Sequence, residues 1–356
     1  MSLSNRQQES DLLHHAHVCA ARGDWAEALA QLIQANRQQP SAALQQLMID
    51  WRIRAGRSAP EAPGAEVSGV QAVEAGEGRR RGGGPLDIPE VHADGLTPES
   101  LRDALRDTGT LIVRGLIDES LAADLRGKID RVVAARENPE VSPPVVADAA
   151  WYSRSEEVSG APSEFFRQPG KVVESSSIWA ADSPHVACEV LALYRQLGLQ
   201  ELLQAYFGEP ARLSVKKWVL RKVAPEKNGN AGWHQDGRFL GENIRTVNLW
   251  LALSDCGGDA PAPGIDLLVD GERKIQPTGT DGAWFNWTVG EERVARLAAD
   301  KCIAQPRFAP GDAILFDHYS LHRTALENHH SAVRYAIESW FFAASTAPAR
   351  QQPIFL

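Results

Sequence analysis

A succession of short, strand-like segments in the second half of the chain limits the possible fold most strongly. From Leu213 onward, stretches of aliphatic, β-branched and aromatic residues alternate with glycine and proline turns. The predicted strands share this pattern and are 213–223, 233–239, 246–253, 265–269, 302–308, 313–316, 320–324 and 333–342. Many short strands at such spacing are typical of a β-sandwich or a jelly roll. Helical segments precede them, so we expect a mainly β fold with flanking helices (α+β).

The first 56 residues are predicted to form a small helical unit. The stretch 28–40 has the apolar spacing of one tetratricopeptide repeat, although a plain amphipathic hairpin explains that spacing equally well. Gly23 marks the turn between the first two helices. The stretch 57–86 is rich in Gly, Pro, Ala and Glu, which predicts a flexible linker. The second domain would then span 87–356.

A single repeat of this kind cannot bury its apolar face alone, because such repeats are stabilised by stacking on neighbours. We therefore expect the helical unit to pack on the second domain, on another copy of the chain in a homo-oligomer, or on a protein partner.

Composition excludes several classes of function. The chain has 37 basic against 46 acidic residues and a net charge of −9, which argues against a nucleic-acid-binding surface. Its 4 cysteines show no paired spacing, so neither a zinc site nor a disulfide framework is indicated. The N-terminal sequence lacks a signal-peptide pattern, and no apolar stretch is long enough to span a membrane. We expect a cytoplasmic protein that acts on a small molecule and binds no membrane.

The triplet His234-Gln235-Asp236 is the first indication of chemistry. On a strand, residues two apart point to the same face, so the imidazole and the carboxylate would lie side by side. They are two of the three ligands of the 2-His-1-carboxylate site of non-haem Fe(II) oxygenases. The triplet also occurs by chance, so its weight depends on the rest of the chain.

A third ligand is expected from a late strand that folds back beside the triplet. His322 follows the predicted strand 313–316, and Arg334 lies in an apolar strand twelve residues further on. A buried arginine needs a carboxylate or phosphate partner, which a dicarboxylic cosubstrate would supply.

Three blocks of this sequence together resemble the phytanoyl-CoA dioxygenase family of Fe(II)/2-oxoglutarate-dependent oxygenases. The blocks are 233–236, 248–253 and 310–334, they stand in the family's order, and the likeness covers roughly 100–345. The resemblance implies a double-stranded β-helix, a form of the jelly roll, preceded here by the small N-terminal helical unit.

The resemblance also implies individual site residues. His234, Asp236 and His322 would bind Fe(II) and leave open positions for 2-oxoglutarate and O2. The implied cosubstrate-binding residues are Arg334, which would pair with the distal carboxylate, together with Thr324, Trp250, Gln235 and Trp218. Core packing is an equally good explanation for Trp250. The candidates for contact with the organic substrate, each of which could instead be a surface or core residue, are Arg238, Phe239, Trp284, Asn286 and Trp287.

The reaction implied by the resemblance is hydroxylation of an unactivated C–H bond of a small organic substrate, with release of succinate and CO2. Two alternatives remain at this point: desaturation or epimerisation with the same fold and cofactors, and a non-catalytic, cupin-like binding or sensor protein. The segments 260–266 and 280–287 differ from those of family members, so phytanoyl-CoA itself is not implied as the substrate.

Overall fold

The computed structural model describes residues 3–58, 87–137, 151–158, 176–225, 232–269, 273–299, 301–325 and 329–356. The α-helices in these ranges are α1 (Leu3–Ala21), α2 (Trp25–Gln38), α3 (Ala42–Ser58), α4 (Pro98–Asp107), α5 (Glu119–Glu137), α6 (Pro184–Gln196), α7 (Leu199–Phe207), α8 (Gly237–Leu240) and α9 (Glu291–Leu297). The strands are β1 (Glu90–His92), β2 (Thr110–Arg114), β3 (Ser176–Trp179), β4 (Ala211–Val223), β5 (Thr246–Ala252), β6 (Ile265–Leu268), β7 (Ile303–Ala304), β8 (Ala313–Phe316), β9 (His322–Thr324), β10 (Arg334–Ala343) and β11 (Pro353–Phe355). None of these helices has the length and hydrophobicity needed to cross a membrane.

Two sheets of unequal size form the β domain. The larger has the order β1-β2-β8-β5-β10-β4-β11, with β3 paired to β4, and the smaller has the order β7-β6-β9. Side chains of both sheets share one core, in which Trp250 and Phe342 of the larger sheet join Ile265 and Leu267 of the smaller. This architecture confirms the predicted jelly roll with flanking helices.

Helices cover the other face of the larger sheet. Every residue of β5 is buried, because the strand is covered on both sides. Val247, Leu249 and Leu251 of this strand pack in a second core, together with apolar residues of helices α4 to α7. Trp250, whose side chain points the opposite way, lies between the two sheets.

The N-terminal helices dock on the β domain. Ile49 and Ile53 of α3 belong to the same core as the helices that cover the larger sheet. The buried Arg52 donates from Nη1 to the carbonyl oxygen of Phe355 in β11 at 3.0 Å. The apolar face of the helical unit was expected to pack on the second domain, on another copy of the chain or on a protein partner, and in the structure it packs on the second domain. The division at 56 and 86 stays a prediction.

Side chains cap the first turns of two helices in the second domain. Thr97 caps α4 through a hydrogen bond from the backbone N–H of Ser100 to its side chain, with Pro98 in the first turn. Asp118 accepts from the backbone N–H of Leu121 at the start of α5.

The segment 184–207 forms two helices, α6 and α7, because Gly198 adopts a left-handed conformation (φ 65°) that ends the first.

Two predictions from the sequence need correction. The expected strand 302–308 is limited to Ile303–Ala304. The helix α3 extends to Ser58, into the predicted linker, and the rest of that linker lies outside the described residues.

Candidate metal centre

The His-X-Asp segment changes conformation between its two ligand residues. His234 exchanges backbone hydrogen bonds with His322, at 2.9 and 3.0 Å, as in an antiparallel ladder. Asp236 is helical (φ −67°, ψ −22°) and immediately precedes α8. The prediction that one strand from 233 to 239 carries both side chains on one face is therefore wrong.

The helical turn after Asp236 depends on a glycine. A Cβ atom on Gly237 would lie 2.3 Å from Cδ1 of Ile275 and 3.0 Å from the carbonyl oxygen of His318. The backbone N–H of Gly237 donates to that same carbonyl at 2.9 Å. A side chain at this position would therefore displace its neighbours, and the glycine allows the close turn that directs Asp236 towards the two histidines.

The three predicted ligand residues come together in space. One donor atom from each of His234, Asp236 and His322 lies within 4.8 Å of the other two. Nε2 of His322 is 3.7 Å from Oδ2 of Asp236, and the two imidazole centroids are 4.3 Å apart. Nitrogen and carboxylate ligands bind at about 2.0–2.2 Å, so one ion fits among these atoms after small side-chain adjustments. The donor set is that of a non-haem iron site.

Backbone carbonyls set the orientation of both histidines. Nδ1 of His234 donates to the carbonyl oxygen of Gly232 at 2.9 Å, and Nδ1 of His322 donates to that of Ser320 at 3.0 Å. In this tautomer the lone pair is on Nε2, where a metal can use it. Burial and, to a smaller extent, the nearby His322 lower the pKa of His234 to about 3, so the imidazole stays neutral.

Lys217 of β4 completes the polar surroundings of Asp236 and was missed by the sequence analysis. Its Nζ lies 2.5 Å from Oδ1 of Asp236, a carboxylate that is only 2% exposed. Burial alone would raise the pKa of Asp236, but the charge of Lys217 and the neighbouring imidazoles hold that pKa well below its usual range. Asp236 is therefore ionised and can act as a ligand.

Arg334 forms a second polar feature between the two sheets. It is 2% exposed and donates from Nη1 to the carbonyl oxygen of Gly264 at 2.9 Å, and its Nε has no hydrogen-bond partner among the described residues. No carboxylate of the described residues lies within ion-pair distance of it. Burial lowers its pKa to about 10, so the guanidinium remains charged at neutral pH. A buried cation without a counter-ion is costly, and an anionic ligand would remove that cost.

The neighbours of Arg334 suit a planar, anionic ligand. The indole of Trp250 lies 5.5 Å from its guanidinium carbon. Thr324 of β9 is directly opposite Ile265 of β6, so the two side chains point to the same interior face. Ile265 follows Gly264, whose carbonyl oxygen accepts from Arg334. The distal carboxylate of 2-oxoglutarate fits this cation and hydroxyl.

The family model described as "Phytanoyl-CoA dioxygenase (PhyH)" matches residues 105–336, more than half of the chain. The match includes all three ligand residues and Arg334. The chain belongs to the phytanoyl-CoA dioxygenase family. The family predicted from the three sequence blocks is thus confirmed, and with it come the cofactors of these oxygenases: iron, 2-oxoglutarate and O2. In this member of the family, His234, Asp236 and His322 are the side chains that can hold the iron.

Three solved structures illustrate the similarity in fold. The epimerase SnoN, in complex with Fe3+, alpha ketoglutarate and nogalamycin RO, has 13% sequence identity and a TM-score of 0.45, covering 69% of this chain and 83% of that one. EctD from S. alaskensis, with 2-oxoglutarate and 5-hydroxyectoine, has 16% identity and a TM-score of 0.48, covering 75% and 86%. EvdO2 from Micromonospora carbonacea var. aurantiaca, with 2-oxoglutarate, has 15% identity and a TM-score of 0.46, covering 72% and 91%. No curated protein sequence is significantly similar to this chain.

Two of the residues expected to line the cosubstrate site of this family member do something else. Gln235 donates from Nε2 to the carbonyl oxygens of Lys274 and Tyr319, at 3.0 and 2.6 Å, and its Oε1 accepts from the backbone of Gln276. It therefore ties a loop to the metal-binding segment, and its amide is not available to a ligand.

Trp218 lies on the wrong face of the larger sheet to line the cosubstrate site. It is opposite Ser339, whose hydroxyl bonds to Tyr194 of α6, and it packs in the core beneath the helices. The cause is a bulge in β4. Strict alternation from Leu213 and Val215, which both face the helices, would have placed Trp218 between the sheets.

The residues predicted to contact the substrate fall into two groups: aromatic residues near His234 and residues exposed at the surface. The ring of Trp287 lies 5.7 Å from that of His234 and 5.6 Å from that of Phe239, which is 37% exposed. Phe285, which the sequence analysis did not single out, stacks on Trp287 at 5.5 Å. Trp284 is 58% exposed, and Arg238 and Asn286 are exposed as well. The structure thus brings an aromatic wall, Phe239-Phe285-Trp287, beside a metal ligand, with the other three candidates at the surface.

A buried ion pair forms a further part of the inner surface. Oε2 of Glu338 in β10 accepts a hydrogen bond from Nε of Arg221 in β4 at 2.6 Å, and Nη2 of the same guanidinium lies within ion-pair distance at 2.6 Å. The other oxygen, Oε1, accepts from Nε1 of Trp340 at 3.3 Å. Burial would raise the pKa of Glu338, but Arg221 and Lys217 lower it below its usual value. The interior side of β4 and β10 is therefore charged.

Proposed function

We propose that this member of the phytanoyl-CoA dioxygenase family is an Fe(II)- and 2-oxoglutarate-dependent dioxygenase that hydroxylates an unactivated C–H bond of a small organic substrate. Succinate and CO2 would be the products of the cosubstrate. Two observations together carry the proposal: the buried Arg334, which has no ion-pair partner among the described residues, and the cluster of three neutral or anionic metal donors. A metal-binding protein without a cosubstrate would not need that cation.

Each residue of the site then has a separate task. His234, Asp236 and His322 hold the iron through Nε2, Oδ2 and Nε2, and the bound iron supplies the centre at which 2-oxoglutarate and O2 react. Arg334 pairs with the distal carboxylate of 2-oxoglutarate in a site that excludes water, where such a pair is strong.

Thr324 and Trp250 complete the cosubstrate site. The hydroxyl of Thr324 donates to the distal carboxylate, and the indole of Trp250 covers one side of the carbon chain. The indole lies 5.5 Å from the guanidinium carbon of Arg334. Thr324 is opposite Ile265, the residue that follows the Gly264 to which Arg334 donates.

The organic substrate would bind against the aromatic wall. Phe239, Phe285 and Trp287 present apolar ring surface next to His234, which suits the apolar part of a small molecule. Arg238, Trp284 and Asn286 are exposed and would contact only the outer part of a substrate that extends from the pocket.

The outcome of the reaction is tested by product analysis. Candidate metabolites are screened for stimulation of succinate release, and the product of each hit is analysed by mass spectrometry under isotopically labelled O2. Incorporation of one oxygen atom from O2 supports hydroxylation. Loss of two hydrogen atoms, or a product of unchanged mass, would replace hydroxylation with desaturation or epimerisation. Failure of the protein to bind iron and 2-oxoglutarate would favour the non-catalytic binding protein instead.

A further inference from the structure

The bulge in β4 aims Lys217 at the metal centre. Ser339 pairs with Trp218 and Phe341 pairs with Leu213, so the four residues 214–217 lie opposite a single residue of β10. Bulges commonly re-aim a side chain beside an active site. Without this bulge, Lys217 would share the helix-covered face with Leu213.

Hydrogen bonds hold the bulge in this shape. The backbone N–H of Lys217 donates to Oγ of Ser214 at 3.0 Å, and Oγ of Ser214 donates to Oε1 of Gln351 at 3.1 Å. Ser214 is fully buried, so these bonds are not exchanged with water. The direction of the Lys217 side chain is therefore built into the fold.

The two oxygens of Asp236 have different environments. Oδ1 is 2.5 Å from Nζ of Lys217, whereas Oδ2 faces Nε2 of His322 at 3.7 Å. A carboxylate can bind a metal through one or both oxygens. The ammonium group already occupies Oδ1 and repels a cation that approaches this oxygen, which leaves only Oδ2 for the metal.

We propose that Lys217 is a positioning residue that restricts Asp236 to binding the iron through one oxygen. The inference rests on the proposed function, because only an iron that must bind 2-oxoglutarate and O2 needs these coordination positions to stay open. If Asp236 bound through both oxygens, it would occupy one of the positions that 2-oxoglutarate and O2 need. Lys217 thus keeps that position free.

The test compares three variants of the full chain with the unmodified protein. Lys217→Met removes the ammonium and keeps an unbranched stem, and Lys217→Arg restores a cation. Lys216→Met is the matched control, because Lys216 is the adjacent residue of the same bulge and makes no ion pair with the described residues. Circular dichroism verifies folding, and Lys217→Gln replaces Lys217→Met if the latter does not fold.

Two measurements separate positioning from a merely structural role. The first is the water-proton relaxation of the Mn(II)-loaded proteins, which reports the number of exchangeable waters on the metal. The second is the affinity of the Fe(II)-loaded proteins for 2-oxoglutarate under anaerobic conditions.

We expect Lys217→Met to bind Mn(II) at least as tightly as the unmodified protein, with fewer metal-bound waters. Its affinity for 2-oxoglutarate should fall about tenfold, because the charge-assisted hydrogen bond from Lys217 to Asp236 no longer opposes binding of the metal through both oxygens. Lys217→Arg should recover most of the loss, and Lys216→Met should behave as unmodified.

Three outcomes would overturn the inference: unchanged water relaxation and 2-oxoglutarate affinity in Lys217→Met, loss of metal binding in that variant, or an equal effect in Lys216→Met. Failure of the proposed function is a separate result, because the unmodified protein would then bind no metal or no 2-oxoglutarate.

Discussion

The two faces of the larger sheet have opposite chemistry, although the same strands form both. On β10, Ile337 and Phe341 face the helices and pack in an apolar core. Arg334 and Glu338 of the same strand face the smaller sheet, together with Asn248 of β5. The helix-covered face is mainly apolar, although Nε1 of Trp218 on this face has no hydrogen-bond partner among the described residues. The interior face contains charged and amide groups instead, and within the described residues Oδ1 of Asn248 and Nε of Arg334 have no hydrogen-bond partner.

This difference separates the source of stability from the source of function. Burying an unpartnered polar group costs stability, so the interior face keeps these groups at a cost that a bound ligand can remove. The helix-covered face provides the apolar burial that offsets this cost. Substitutions on the interior face should therefore change ligand binding with little effect on folding, and substitutions on the other face should do the reverse.

The largest expected effect is the loss of a metal ligand. His322→Ala should abolish iron-dependent succinate formation, because two ligands hold the metal too weakly, and should leave the folded state intact. Iron content and succinate release measure the first effect, and thermal unfolding measures the second. Normal turnover in this variant would remove His322 from the metal site. Collapse of the fold would contradict the separation of the two faces.

The second prediction concerns the cation of the interior face. Arg334→Leu removes the partner of a buried carboxylate, which costs about 2–5 kcal/mol of binding free energy. The KM for 2-oxoglutarate should rise more than tenfold, with a smaller change in the KM for the organic substrate. An unaltered KM for 2-oxoglutarate would mean that another group anchors the cosubstrate.

The third prediction compares neighbouring residues on opposite faces of β5. Leu249→Ala should lower the free energy of unfolding by about 2–5 kcal/mol without changing the KM for 2-oxoglutarate, because it leaves a cavity under the helices. Asn248→Leu is of similar volume and removes an unpartnered oxygen, so we expect it to change the free energy of unfolding by less than about 1 kcal/mol. Chemical denaturation measures the free energy of unfolding of both variants. A similar loss in the two would contradict the difference between the two faces of the sheet.

Motif spacing could predict the interior face because its function needs particular residue types. The order of the two histidines, the aspartate and Arg334 indicates a metal site with an anionic cosubstrate, and the resemblance of their sequence blocks to the family implies their individual roles. The turns between apolar stretches predict the jelly roll. Lys217 gave no such signal, since a lysine on a strand is ordinarily a surface residue. Its role depends on a bulge that only the pairing of β4 with β10 reveals.

The errors have the same origin. The bulge places Trp218 on the helix-covered face, whereas the family resemblance implies a position in the cosubstrate site. The helical turn at Asp236 depends on the close approach of Gly237 to Ile275, a contact between segments far apart in the chain. Local sequence predicts which residues alternate, and long-range contacts decide where the alternation is interrupted.

The smallest expected effect concerns the hydroxyl beside Arg334. Thr324→Val keeps the shape of the side chain and removes one hydrogen bond to the distal carboxylate, at a cost of about 1 kcal/mol. The KM for 2-oxoglutarate should rise about fivefold, with unchanged thermal stability. A rise as large as that in Arg334→Leu would show that the two residues act as a unit.

An anaerobic titration with Fe(II) and then 2-oxoglutarate tests the central claim most directly, because it requires the three ligands to hold one iron and Arg334 to hold the 2-oxoglutarate that binds to it. The account predicts a weak visible charge-transfer band that saturates at one iron per chain, disappears in His322→Ala, and needs more 2-oxoglutarate in Arg334→Leu. Absence of the band in the unmodified protein at saturating ligand, or its persistence in His322→Ala, would contradict the account.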